Sequence, residues 1–316
     1  MKRLLPLFLI SLLTLSSCGK EGDVTSPVAP PAPVLSLPAN NSADQAITLS
    51  LSWVIATGAE TYSLQVALDI AFSNIVFAQN GIRATNKTVD GLTYGHTYYW
   101  RVKAVNSTGS SEWSSPVHSF KTISFICGSK VSYYGKNYNT VLIGSQCWMK
   151  ENLDIGTMLD GSLKATNNGI IEKYCYDNNE SNCTTYGALY QWDEAMAYNI
   201  TAGSRGICPP GFHIPTDPEL KILADAAGND GTKLKATSQG TGAGAGNDST
   251  GFSGMLGGSR FTNNLFSSID GYGYLWSSTE GTSTNALFFR LGSLGTTIYF
   301  FSITKEYGFN IRCLKD

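Results

Sequence analysis

Seven cysteines are distributed unevenly along this 316-residue chain, and their placement constrains the fold more than any other feature. Cys18 closes an N-terminal apolar run. The other six, Cys127, Cys147, Cys175, Cys183, Cys208 and Cys313, all lie after residue 125. An even set in a chain that opens like an exported protein reads as disulfides. Composition alone therefore separates a cysteine-free part from a cross-linked part. Sequence permits many pairings of six cysteines. Cys127–Cys147 and Cys175–Cys183 are expected because each joins near neighbours across a compact loop, and Cys208–Cys313 follows by elimination. No Cys-x-x-Cys pair occurs and histidines are few (His96, His118 and His213), so no zinc site and no cofactor are expected.

The chain begins "MKRLLPLFLISLLTLSSCGK". Lys2 and Arg3 form a positive start, and the apolar run from Leu4 to Leu15 is too short to span a bilayer. Leu15-Ser16-Ser17-Cys18 resembles the lipobox of bacterial lipoproteins. The resemblance implies a signal peptide over 1–17, a lipid on Cys18 and a membrane anchor without a transmembrane helix. The alternative is an ordinary secretory signal with a chance cysteine. Residues 18–32, rich in Pro and Gly, read as a tether. Lys20-Glu21 resembles the charged signals that send some Bacteroidetes lipoproteins to the cell surface. The implied location is the outer membrane or cell surface, lipid-anchored.

Residues 33–122 alternate with period two. Leu49, Leu51 and Trp53 share a face, as do Tyr62, Leu64 and Val66, and Tyr98, Trp100, Val102 and Ala104 oppose Arg101 and Lys103. Such alternation marks half-buried antiparallel strands, and this length of it makes a β-sandwich. Trp53, the run "LTYGHTYYWRVKAVN" and "SEWSSP" resemble a fibronectin type III domain, with Tyr98 as its corner tyrosine. The implied role is a spacer between membrane and next domain.

Residues 125–316 read as α+β. "KVSYYGKNYNTVLIG" is expected to turn at Gly135-Lys136-Asn137. Leu189, Trp192 and Met196 have helical spacing. "TDPELKILADAAG" is the clearest helix, with a Thr216/Glu219 capping box and an apolar stripe of Leu220, Leu223, Ala224 and Ala227. The remainder is strand, ending in "GFNIRCLKD", where Phe309, Ile311 and Cys313 are expected inward and Asn310, Arg312 and Leu314 outward. The ordered blocks "IGSQCWMKENLD", "TYGALYQWDEAM", "ICPPGFHIPTDPEL", "GFSGMLGGSR", "YGYLWSSTE" and "YGFNIRCLKD" resemble the Fibrobacter succinogenes major paralogous domain, found in Bacteroidetes and Fibrobacteres surface proteins. "GFHIPTDPEL" with "GFNIRC" is also similar to the formylglycine-generating enzyme family, which implies a C-type-lectin-like fold. Here His213 stands in place of that family's Arg, and a close C-terminal pair of redox cysteines is missing. The fold likeness carries over and the catalytic likeness does not.

The run "RGICPPGFHIPTDPEL" gathers Cys208, His213 and Asp217, the side-chain types of nucleophilic catalysis. A nucleophile needs a free, low-pKa thiol. Cys208 is instead expected in a disulfide, and Asp217 suits the helix dipole, so this stretch reads as a fold corner. "DNNESN", with Asp177, Asn179 and Ser181, only faintly resembles a calcium loop. The "KLKATSQGTGAGAGNDSTGF" segment is a Gly-rich loop without a nucleotide fingerprint.

Net charge is −2 and charged residues make up 15% of the chain, so no basic surplus exists for nucleic acid. No paired carboxylates or nucleophile–base set stands out, and the protein is expected not to be an enzyme. The segment from Gly240 to Phe301 is crowded with aromatics. Tyr272, Tyr274, Trp276, Phe288, Tyr299 and Phe301 are the candidate ligand-binding residues, stacking on a glycan beside Asn263, Asn264 and Asn285. The bland reading is that these rings pack the core. The expected function is a non-catalytic extracellular glycan-binding module on a surface lipoprotein. The alternatives are a structural or adhesive protein that binds other surface proteins, or a degenerate enzyme on the formylglycine-generating enzyme scaffold.

Overall fold

A computed structural model describes residues 28–316. Cys18 and the signal-like segment lie outside the described residues. Residues 35–122 form β1 (Leu35–Leu37), β2 (Ser42–Gln45), β3 (Leu49–Trp53), β4 (Thr61–Ala67), β5 (Ile75–Ile82), β6 (Asn86–Val89), β7 (Thr97–Asn106), β8 (Gly109–Ser110) and β9 (His118–Thr122). One sheet has the order β1-β3-β6, and the other β2-β9-β7-β4-β5 with β8 on β7. The alternating apolar positions meet between them: Leu51, Trp53 and Val89 face Leu64, Val66, Trp100, Val102 and Phe120. Each large side chain buried this way stabilises the sandwich by about 1.5–3 kcal/mol. Arg101 and Lys103 point outward and lie over the Trp113 ring, 4.4 and 5.1 Å from its centroid. Tyr98 acts as a corner: its hydroxyl accepts a hydrogen bond from the Thr93 N–H at 2.8 Å.

The second half continues with β10 (Val131–Tyr133), β11 (Lys136–Tyr138), β12 (Thr140–Ile143), β13 (Gln146–Met149), β14 (Thr157–Met158), β15 (Glu172–Lys173), α1 (Glu180–Tyr186), β16 (Leu189–Tyr190), α2 (Trp192–Ala195), β17 (Phe212–His213), α3 (Asp217–Ala226), β18 (Gly257–Arg260), β19 (Phe266–Ile269), β20 (Tyr272–Glu280), β21 (Asn285–Gly292), β22 (Tyr299–Thr304), β23 (Phe309–Asn310) and β24 (Leu314–Lys315). A four-stranded sheet runs β12-β13-β24-β17. A seven-stranded sheet runs β16-β23-β20-β18-β19, extended by β21 on β20 and β22 on β21. Helix is short, with 7 residues in α1, 4 in α2 and 10 in α3. The described chain is mostly β.

Helix α3 begins where the sequence predicts. The Thr216 side chain accepts from the Glu219 N–H, and the Glu219 carboxylate accepts from the Thr216 N–H at 2.7 Å. A cap of this kind contributes about 0.5–2 kcal/mol. Its stripe of Leu220, Leu223 and Ala227 packs on Leu275, Phe289 and Leu291 of the large sheet.

Three local expectations are corrected. The β10–β11 hairpin turns at Tyr134 and Gly135, both with positive φ (49° and 74°), not at 135–137. Leu189 lies in a strand, paired with Asn310, so the helical spacing of Leu189, Trp192 and Met196 spans a strand and the four-residue α2. The C-terminal segment does not alternate between core and solvent. Asn310, Arg312 and Leu314 are as buried as Phe309, Ile311 and Cys313. The segment runs between two cores, with Phe309, Ile311 and Cys313 in one and Leu314 in the other. Its side-chain donors find partners there, while the Asn310 Oδ1 has none. Asn310 donates to the Ala188 carbonyl at 2.9 Å, and Arg312 donates to Asn152 at 2.9 Å and to the Phe252 carbonyl. Burial lowers the Arg312 pKa to about 9.

Disulfides join Cys127 to Cys147, Cys175 to Cys183 and Cys208 to Cys313, with Cα separations of 5.8, 5.0 and 5.9 Å. These are the pairs expected from the sequence. Between the sandwich and the cross-linked half, the Phe125 ring meets Tyr94 at 5.1 Å and Phe212 at 5.3 Å.

Candidate functional site

The 205–220 stretch is built as a corner. Cys208 is oxidised onto Cys313, so it offers no thiolate. His213 sits between two carboxylates, with Nδ1 2.8 Å from Asp316 and Nε2 3.1 Å from both Glu219 oxygens. Burial works against a charge on His213, but the hydrogen bonds to Asp316 and Glu219 outweigh it and raise its pKa to about 9. Burial likewise opposes charge on Glu219, yet the hydrogen bonds from His213 and Thr216 bring it down to about 2. A histidine held protonated this firmly is a structural cation, not a base poised near neutrality.

The aromatic residues of the sequence reading come together. Cross-strand neighbours share a face. Tyr274 pairs with Arg290 and Trp276 with Phe288, and across the next ladder Arg290 pairs with Tyr299 and Phe288 with Phe301. With Tyr272 two residues before Tyr274, all six candidates therefore line one face of β20, β21 and β22. The opposite face carries Leu275, Phe289 and Leu291 and lies beneath α3.

This common face is half covered. Trp276 and Phe288 are 0% and 5% exposed, packed around Phe309, so neither can meet a ligand. Their assignment as binding residues is corrected: β23, adding in parallel beside β20, lays Phe309 over them. Tyr274 is partly buried and stacked on Phe309 at 4.7 Å. Tyr272, Tyr299 and Phe301 remain 39%, 38% and 45% exposed. Tyr299 and Phe301 stack on each other, 5.7 Å apart and tilted by 10°.

Arg290 stands at the centre of these exposed rings and was not singled out from the sequence. Its guanidinium carbon lies 4.8, 4.5 and 5.1 Å from the ring centroids of Tyr272, Tyr299 and Phe301. Cation–π contacts of this kind are worth about 0.5–2 kcal/mol each. Period-two parity in "NALFFRLG" places Arg290 with Phe288, and this was the available signal.

Beside Arg290 opens a cleft of about 400 Å³, walled by Tyr272, Tyr299 and the 292–297 loop. Buried Lys235 shapes that wall by donating to the carbonyls of Gly292 and Gly295 at 2.6 and 2.9 Å. The Gly-rich loop supports it from behind. The Thr241 N–H donates to the Ser293 carbonyl at 2.9 Å, and a Cβ at Gly244 would lie 2.3 Å from that same oxygen. Close backbone approach thus explains the glycines. Asn264 is committed elsewhere, accepting from Arg260 at 2.7 Å.

Residues 141–315 match the family model of the Fibrobacter succinogenes major domain. The chain belongs to this family. Residues 32–120 match the fibronectin type III domain. Together the two domains mark a surface or extracellular multidomain protein. No curated protein matches the chain. Among solved structures, similar chains include an Fn3-like protein from Clostridium thermocellum, 22% identical, covering 31% of this chain and 99% of its own, with a TM-score of 0.25. The fn3 domain of human collagen alpha-1(XX) chain is 21% identical, covering 34% and 99%, with a TM-score of 0.26.

Within the Fibrobacter succinogenes major domain, two larger clefts of about 540 Å³ each share Lys136 and Asp154. Asp154 bridges Lys136 and Lys173, and Lys173 also meets Glu180 at 2.6 Å. Nothing in the sequence joins these four distant residues. Their charges satisfy one another and tie together β11, β15 and α1. Asn179 caps α1 by accepting from the Ser181 N–H at 3.1 Å, so the "DNNESN" run forms a helix start.

Proposed function

We propose that this chain is a lipid-anchored surface protein whose C-terminal domain binds glycans, without catalysis, through the outer half of the aromatic face. The observation that carries the reading is the trio of exposed rings, Tyr272, Tyr299 and Phe301, gathered around Arg290, with Tyr272 and Tyr299 walling one cleft and Phe301 stacked beside Tyr299. The negative faces of aromatic rings attract the C–H edges of sugars, and a cleft of this size suits one or two sugar units. The C-type-lectin-like α+β scaffold is retained as part of this reading and rests on fold analogy. The non-catalytic role is supported by the oxidation of Cys208 and by the paired state of His213. The sandwich serves as a spacer, the lipid on Cys18 holds the protein to the outer membrane, and the domain faces outward.

Two measurements test this. Mass spectrometry of the mature N-terminus is expected to find a lipidated Cys18; a mature chain cut at another residue rules out the anchor. On a glycan array the full chain is expected to bind saturably, and Phe301→Ala is expected to weaken binding about tenfold or more, with folding intact. Silence of every glycan, with protein partners alone captured in a whole-cell pull-down, sinks the glycan reading. That outcome favours protein adhesion, for which Leu294, 78% exposed on the rim of the cleft, is the natural contact.

A further inference from the structure

We infer that the glycan is anionic and that Arg290 reads its charge. The inference rests on the glycan reading above. Rings hold the Arg290 guanidinium but offer it no hydrogen-bond acceptor. Its buried Nε has no partner, and no carboxylate lies within ion-pairing distance of it among the described residues. The other covered arginines differ. Arg101 donates twice to Gln65, Arg260 to the carbonyls of Gly161 and Leu163, and Arg312 to Asn152 and Phe252. The cost of a missing acceptor falls on the buried Nε–H, while the terminal nitrogens reach solvent and are free to take a ligand.

The cleft beside Arg290 is free of acids. Its remaining lining is glycine, Ser293, Leu294 and Thr297. The acid next along the chain, Asp270, accepts from the Tyr186 hydroxyl at 2.9 Å instead. An anion entering the cleft therefore meets a fixed cation and no repulsion. A guanidinium is a planar fork that matches oxyanions in two parallel hydrogen bonds. The three rings hold the guanidinium in place, while Tyr272 and Tyr299 wall the cleft where the sugar that bears the anion would stack. The shared ligand chemistry is an oxyanion on a sugar, either the carboxylate of a uronic acid or a sulfate ester.

Calorimetric titration of the full chain with three oligosaccharides of matched length tests the inference. One is an oligogalacturonide, carrying carboxylate only. The second is a sulfated galactan fragment, carrying sulfate only, and the third is its unsulfated counterpart. At least one acidic probe is expected to bind about tenfold or more tighter than the neutral one, and which probe does so identifies the anion. That preference is expected to shrink as salt rises from about 0.05 to about 0.5 M. Arg290→Gln is expected to remove it, while Arg290→Lys, which keeps the charge but not the fork, retains a part. Intact disulfides and an unchanged thermal transition establish that both variants are folded. Neutral and acidic probes bound equally, with Arg290→Gln silent, would overturn the inference and leave the glycan reading standing. No binding to any of the three probes overturns the inference, and silence across the glycan array as well overturns both.

Discussion

Loss of the Cys208–Cys313 bridge is expected to destabilise the C-terminal domain by about 4.8 kcal/mol, against about 2.5 kcal/mol for Cys175–Cys183. The difference comes from the unfolded chain. The first bridge closes 105 residues and the second only 8, and a longer closed loop removes more freedom from the denatured ensemble. A whole domain is stable by only about 5–15 kcal/mol, so the larger figure is a sizeable part of it. The site depends on the same bridge. Cys313 lies four residues after Phe309, the ring that backs Tyr274, Trp276 and Phe288. The variants to compare are Cys208→Ala with Cys313→Ala and Cys175→Ala with Cys183→Ala, each leaving no stray thiol. Urea unfolding measures the costs, and the cysteine-free sandwich provides an internal reference. Equal costs, or the reverse order, would refute the argument. A non-reducing peptide map with free thiols at 208 and 313 would refute it more directly.

The bridge also illustrates what the sequence can and cannot convey. The sandwich was legible because its strands are half-exposed, and alternation from Leu49 to Trp53 and from Tyr98 to Ala104 reports one buried face. Helix α3 was legible because its signals are local: Thr216 and Glu219 are three residues apart. The C-terminal segment lacked any such marker. Arg312 and Asn310 look like solvent positions, and the partners that allow their burial (Asn152, Ala188 and Phe252) are distant in sequence. The aromatic face was legible as a set of rings on strands, but not as a half-covered set. Which half is covered depends on the register of β23 against β20, with Leu275 opposite Asn310. Arg290 passed unnoticed for a related reason. A single arginine in a strand normally marks the wet side, and only the cross-strand pairs with Tyr274 and Tyr299 reveal a cation among rings.

The corner at His213 carries the second large effect, which is a dependence on pH. The folded pKa of His213 is about 9, above its ordinary 6.5, so the folded state binds this proton more tightly than the unfolded state. A raised pKa contributes stability that is fully present below about pH 6.5 and is lost as pH rises through about 9. At 1.36 kcal/mol per pKa unit the contribution is on the order of 3 kcal/mol. Glu219 has the opposite sign. Its pKa falls from 4.5 to about 2, so its contribution is present above about pH 4.5 and is lost as pH falls through about 2. The two shifts share the His213–Glu219 contact and so do not simply add, although His213 also draws on Asp316 and Glu219 on Thr216. The domain is therefore expected to be most stable between about pH 4.5 and 6.5 and to weaken steadily towards pH 9. His213→Gln isolates the alkaline limb, because it removes the titrating group and leaves the Glu219–Thr216 cap in place. Glu219→Gln is the poorer probe, since it disturbs that cap at every pH. Urea midpoints at pH 6 and pH 9 provide the measurement. The wild-type chain should lose stability between the two values, and His213→Gln should start lower and stay nearly level. If the two chains decline in parallel, His213 is not the source, and the corner is held by its disulfide and cap alone.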